Sequence, residues 1–176
     1  MKNSFLFFLI VFCFSCSKVE PRRPINPKPP TTLYFEAIKQ NKVLNKLEND
    51  KILKLINNDS AHAYVQSSNG FWYTYIHKIE EELQTPVKGD EVILVYNITD
   101  LNDAIIYSKE ELGVKNYVVD KEDFISGLQK GIKLMKTGET ITFVIPSYSA
   151  YGIGGDEFKI GINQSIKSTV TLINIK

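Results

Sequence analysis

FISGLQKGIKLMKTGETITFVIPSYSAYG, residues 124–152, reads as a helix, a strand and a loop in close succession. Ser126 followed by Gln129 matches a capping box, in which the hydroxyl and the amide each satisfy a free backbone N–H. Leu128, Ile132 and Met135 then fall on one helical face, and Thr137-Gly138 ends the run. Gly127 and Gly131 stand one turn apart, where glycine lowers helix stability, so their presence predicts a helix pressed closely onto a sheet. The strand follows at Thr140–Ile145, with Ile141, Phe143 and Ile145 on one face. The chain leaves it through IPSYSAYGIGG (145–155), which sets Tyr151 just before a glycine run. Tyrosine and glycine suit an exposed turn, and Tyr151 equally suits the wall of a pocket rimmed by this loop.

Outward from this stretch, strand formers dominate. Residues 71–76 (FWYTYI) and 92–98 (VILVYNI) are strands, with Pro86, Gly89 and Asp90 marking the turn between them. Further strands are expected near 104–108, near 117–119 and at 169–175. A single helix among these strands predicts an α+β fold. Residues 33–56 differ: Leu33, Ala37, Ile38, Val43, Leu44, Leu47, Ile52, Leu55 and Ile56 recur at spacings of three and four, with Asn41, Asn45 and Asn49 on another stripe. Asn49-Asp50 leaves open a division into two helices. The apolar face of this arm needs a partner, either the C-terminal domain or a second copy of the chain, so a homodimer through 33–56 is one expectation.

The first residues are of another kind. Lys2 precedes an apolar run from Phe5 to Phe12, then Cys13, Phe14, Ser15 and Cys16. A short basic start and an apolar run of this length read as a secretory leader, too short to span a bilayer permanently. Both cysteines lie here, so the body holds no internal disulfide. The segment resembles a bacterial lipoprotein signal in which Cys16 becomes the acylated N-terminus, although Cys13 and Phe14 are not the usual small or aliphatic residues. Between Pro21 and Pro30 stand five prolines, which cannot build helix or sheet ladders and form an extended tether. The organisation expected is a leader at 1–16, a proline-rich tether at 17–32, a helical extension at 33–68 and a folded domain at 69–176. A lipid-anchored place in the bacterial cell envelope follows, facing the periplasm or on the outer membrane.

The formal charge of +1 gives no electrostatic case for nucleic acid. His62 and His77 are the only histidines and lie in different elements, so no metal site is expected. No glycine-rich phosphate cradle occurs: the glycines at 152, 154 and 155 run into Asp156 and Glu157, which would repel an anion. Glu110-Glu111 reads as solvated charge on a loop or strand end. No cofactor is implied.

The aromatic and aliphatic residues come in a recognisable order. PVKGDEVILVYNIT (86–99), FISGLQKGIKLMKTGE (124–139), TFVIPSYSAYG (142–152) and STVTLINI (168–175) together resemble the FKBP-type peptidyl-prolyl isomerases. YSKEELG (107–113), YVVDKED (117–123), IKLMKTGE (132–139) and GDEFKIG (155–161) are most similar to the gliding-motility-associated lipoproteins of that family. The resemblance implies an antiparallel half-barrel wrapped on one short helix, preceded by the helical N-terminal arm, with a shallow apolar pocket that takes a prolyl ring. It places Tyr96 at a pocket wall, Ile106 and Phe124 beside it and Leu128 at its floor. The backbone N–H of Ile125 and the hydroxyl of Tyr151 fall where donors hold substrate carbonyls, and Ile160 where the next loop closes the pocket. Tyr107 stands where the family carries an aspartate, Leu128 where it carries a tryptophan, and Ser168 in place of an aromatic. These exchanges imply a wider, less polar site. The implied activity is isomerisation of proline-containing segments of exported or envelope proteins. The alternative is a weakly active peptide-binding module or chaperone, or a structural lipoprotein of an envelope machine. Tyr117 stays open between pocket wall and core.

Overall fold

The computed structural model describes residues 32–176. The leader with Cys16 and the tether up to residue 31 lie outside the described residues. The chain divides into two compact units, 1–37 and 38–176.

An N-terminal helix, α1 (Thr32–Asn58), leads into β1 (Val65–Gln66), β2 (Trp72–His77), β3 (Glu91–Tyr96), β4 (Ile98–Thr99) and β5 (Ile105–Tyr107). A single-turn helix, α2 (Lys109–Leu112), precedes β6 (Val114–Val118). The helix α3 (Ser126–Ile132), β7 (Thr140–Ile145), a 3-10 turn (Ser147–Ser149) and β8 (Ile166–Ile175) complete the chain. The strands form one open sheet of eight, in the order β1-β2-β7-β8-β3-β6, with β4 pairing β8 and β5. Every pairing is antiparallel.

The alternation within the strands decides which face meets which partner. Phe143 of β7, Tyr73 of β2 and Val170 of β8 turn to the main core, where Leu94, Leu128, Ile132 and Met135 join them. On the opposite face Trp72 pairs with Val144, and both pack on Ile52 of α1. The arm thus finds its partner in its own sheet, through the C-terminal part of α1. Farther along that face the sheet is stitched by threonines instead, with Thr142 and Thr169 hydroxyls 2.8 Å apart and Thr140 and Thr171 hydroxyls 2.9 Å apart.

The structure departs from the sequence reading in several places. The arm is one unbroken helix, not two, because the polar side chains at Asn49 and Asp50 face outward or sideways while Glu48 and Ile52 anchor the same turns. The helix read over 33–56 is present as Thr32–Asn58, but β1 joins the sheet from within the extension placed at 33–68. Ser126 is the first residue of α3 rather than its cap: Ile125 caps it without a side-chain bond, and the Gln129 amide donates to the Phe124 carbonyl at 2.9 Å. Glu110 and Glu111 lie in α2, a helical turn capped by Ser108, whose hydroxyl accepts from the Glu111 N–H at 3.2 Å.

The close packing expected of the two glycines is present. A methyl group at Gly131 would meet the Phe143 ring at 2.5 Å, and one at Gly127 would meet Ile145 at 2.6 Å. A glycine-to-alanine change in an exposed helix adds about 1 kcal/mol of stability. Here the sign reverses: Gly131→Ala should destabilise the protein by about 1–3 kcal/mol through overpacking, read as a lower urea midpoint at unchanged m-value.

Candidate functional site

The sheet and α3 bring the eight residues singled out by sequence into one apolar cluster. Tyr96, Ile125, Leu128 and Ile160 are buried members of it, and Ile106, Tyr107, Phe124 and Tyr151 are partly buried against it. Tyr96 ends β3; Phe124 and Ile125 lie just before α3; Tyr151 follows β7 through the 3-10 turn. Leu128 has no exposed surface, so it supports the site from beneath instead of touching a ligand. Its short side chain leaves it wholly inside the core.

Phe124 is the centre of an aromatic frame. Its ring meets Tyr96 edge-on at 5.3 Å and Tyr117 at 5.3 Å. Tyr117 is a core residue: it is fully buried, and its hydroxyl accepts from the Asp120 N–H at 3.1 Å. Ser168 is likewise fully buried, and its hydroxyl donates to the Asn97 carbonyl at 2.7 Å, where β3 breaks into β4. It secures the sheet.

Tyr151 and Tyr96 have no hydrogen-bond partner among the described residues, yet no buried side-chain oxygen is left unsatisfied. Their hydroxyls therefore reach solvent from otherwise apolar surroundings. Burial pushes the Tyr151 hydroxyl up to about 12, helped by Tyr96, Asp156 and Tyr107 nearby. Burial raises Tyr96 as well. Both remain protonated donors at neutral pH. The arrangement offers hydroxyl donors above an apolar patch, with no nucleophile and no general base. Among the described residues, no three His, Cys, Asp or Glu side chains converge as metal ligands would.

The residue that sequence reasoning missed is Asp156. The exchange of an aspartate for Tyr107 suggested a less polar site, but the Tyr107 hydroxyl donates to Asp156 Oδ2 at 2.5 Å. A carboxylate thus returns to this edge of the site from the opposite loop. Asp156 Oδ1 accepts from the backbone N–H groups of Ile160 and Phe158 at 2.7 and 3.0 Å, which folds the loop that carries Ile160. Lys159 lies 4.6 Å over the Tyr107 ring and pairs with Glu111 of α2. Burial acts to raise the Asp156 carboxyl, but bonds from Tyr107, Ile160 and Phe158 together hold it below the usual aspartate value. The bond to Asp156, with burial behind it, raises Tyr107. Nothing local to Asp156 marks this role; it depends on a tyrosine in a different element. The loop after Tyr151 exposes Ile153, Phe158 and Ile162.

Residues 82–173, just over half the chain, match the FKBP-type peptidyl-prolyl cis-trans isomerase family. A peptidyl-prolyl cis-trans isomerase from Pseudomonas syringae pv. tomato shares the fold with a TM-score of 0.60 at 20% identity, over 86% of this chain and 99% of its own. FkpA from Escherichia coli does so with a TM-score of 0.60 at 20% identity, over 100% of this chain and 83% of its own.

Because the Asp156 carboxyl is held below its ordinary value of 3.8, its charged form is the one the folded loop favours. The loop order it supplies is complete above that value and disappears as pH falls through the lower folded value. The hydrogen-bonded amide shifts of Phe158 and Ile160 should therefore persist in NMR spectra until the pH drops below 3.8, and should be absent in Asp156→Ala at every pH. Tyr107→Phe should leave both amides bonded, with the transition moved to higher pH.

Proposed function

The chain belongs to the FKBP-type peptidyl-prolyl cis-trans isomerases, and on that premise we propose that Tyr96, Ile106, Phe124, Ile125, Tyr151 and Ile160 form the surface on which a prolyl bond is twisted. The protonated hydroxyl of Tyr151, without a hydrogen-bond partner among the described residues and set over apolar side chains, is the observation that carries this reading.

Rotation about an Xaa–Pro amide is slow because the C–N bond has partial double-bond character, with a barrier of about 18–20 kcal/mol. The two isomers differ by about 1 kcal/mol, so stabilising the twisted state suffices. In that state amide resonance is lost and the carbonyl is less polar, and an apolar surface favours it over the planar amide. The Ile125 N–H accepts no duty in the described hydrogen bonding and stands before α3, free to donate to a substrate carbonyl. The Tyr151 hydroxyl holds a second carbonyl. With the flanking chain fixed at two points, rotation falls on the bond between them.

The substrates proposed are proline-containing segments of exported or envelope proteins, with Cys16 anchoring the chain by lipid and the tether at 17–32 giving it reach. The leader composition supports this placement, and the motifs shared with gliding-motility-associated lipoproteins support a client in that machinery. Val43, Leu44 and Leu47 are exposed on α1, which supports self-association through 33–56. A second reading, capture of unfolded chain with incidental turnover, is favoured by the exposed Ile153, Phe158 and Ile162 in the loop after Tyr151.

Tyr151→Phe should reduce kcat/KM on Xaa-Pro peptides about fivefold, the equivalent of one hydrogen bond of roughly 1 kcal/mol. Unchanged turnover would remove Tyr151 from the site, and binding of unfolded protein without any turnover would favour the capture reading. Fatty-acid labelling in a bacterial host should be lost in Cys16→Ser; labelling that persists would refute the anchor. Sedimentation of the soluble part as a monomer at all concentrations would refute self-association.

A further inference from the structure

The mechanism above makes no use of Glu48, yet its carboxylate is buried at the junction between α1 and the domain. Its Oε2 accepts from the Ser147 backbone N–H at 2.9 Å and from the Ser165 hydroxyl at 3.2 Å, and its Oε1 accepts from the Ser147 hydroxyl at 2.6 Å. A carboxylate taken out of water is strongly unfavourable unless its oxygens find such donors. Here the donors belong to the first residue of the 3-10 turn that leads to Tyr151.

Ser147 in turn holds the backbone on both sides of Tyr151. Its carbonyl accepts from the Ala150 N–H at 2.9 Å and from the Gly152 N–H at 2.8 Å. The tyrosine is the residue between those two donors. A continuous set of bonds therefore runs from Glu48 through both ends of the Ser147 peptide units to the backbone that aims the Tyr151 hydroxyl. The turn is also tied by the Tyr148 hydroxyl to the Gly70 carbonyl at 3.3 Å and by the Asn163 N–H to the Gly152 carbonyl at 2.9 Å, but neither bond reaches the Ser147 peptide. Cavities of about 430 and 210 Å³ border the junction, the first lined by Glu48, Lys51 and Ser165, the second by Asn45, Ser147 and Gly152. The other polar tie from the helix, Asn49 to the Tyr148 hydroxyl, is long at 3.5 Å.

We infer that Glu48 is a positioning residue for the isomerase site: through Ser147 it fixes the turn that presents Tyr151, so the N-terminal helix is part of the catalytic apparatus. This inference rests on the assignment of Tyr151 to substrate binding. Glutamine at position 48 can still accept the Ser147 N–H while the Ser147 hydroxyl turns to accept from the amide. Alanine leaves both Ser147 donors without a partner.

The test is a double-mutant cycle on the full chain, with Glu48→Ala and Tyr151→Phe singly and together, and Xaa-Pro turnover as the readout. Glu48→Ala should lower kcat/KM about fivefold, Glu48→Gln by much less, and Glu48→Ala should add nothing in the Tyr151→Phe background. Equal losses in both backgrounds would show a general structural contribution and overturn the inference. So would unchanged turnover in Glu48→Ala while Tyr151→Phe is impaired, an outcome that leaves the site itself standing. Unchanged turnover in Tyr151→Phe would overturn the site assignment and this inference with it. Should Glu48→Ala fail to fold, Ser147→Ala, which removes the hydroxyl donor and keeps the N–H, takes its place in the same cycle.

Discussion

The contact between α3 and β7 governs the rest of the molecule. Gly127 and Gly131 let the helix backbone come down onto Ile145 and Phe143 with no side chain between them. That approach is possible only because both partners are buried members of an otherwise large-residue core, where density is high and an added methyl has nowhere to go. The helix so placed carries Phe124 and Ile125 at its start, opposite Tyr96 at the end of β3, and Leu128 beneath them. The site is a by-product of how the core closes. Its apolar character needs no separate explanation, since the same cluster continues from the interior to the exposed edge.

What this surface does follows from what it lacks as much as from what it holds. Prolyl isomerisation transfers no proton and forms no covalent bond; it needs a place where the twisted amide is better accommodated than the planar one. Tyrosine hydroxyls that stay protonated supply directed hydrogen bonds without adding charge. The carboxylate of Asp156 is kept to the edge, neutralised in effect by the Tyr107 hydroxyl and two backbone N–H groups, and spent on holding the loop. Where the family resemblance implies an aspartate, the Tyr107 hydroxyl and the carboxylate of Asp156 from another element stand together.

Local pattern carried the fold far. Alternation in β7 and helical spacing in α3 are short-range signals, and the glycine pair is a local sign of the close helix–sheet contact that the structure contains. The eight candidate residues lie together in one apolar cluster, with Leu128 wholly interior. The misses were of two kinds. Ser126 fitted a capping pattern, but the Gln129 amide had a competing acceptor at the Phe124 carbonyl that no sequence rule ranks. Glu48 and Asp156 matter only through partners far away in the chain, Ser147 and Tyr107; a reading of neighbouring residues passed over the first and saw in the second only a charge that repels anions. Buried carboxylates are a product of tertiary contact. The arm's partner was left open between two choices because amphipathic spacing shows that a face needs cover without showing what covers it; Trp72 and Val144 cover only its C-terminal part, at Ile52.

The central claim is that this site accelerates prolyl rotation by binding the twisted amide, with no group gaining or losing a proton. The pH dependence of kcat/KM on an Xaa-Pro peptide without ionisable side chains tests it most directly. The account predicts a flat profile from about pH 5 to 9, since the donors at the site stay protonated throughout that range. A bell-shaped or sigmoid profile in that range, unaccompanied by unfolding, would show an acid or base at work and contradict it.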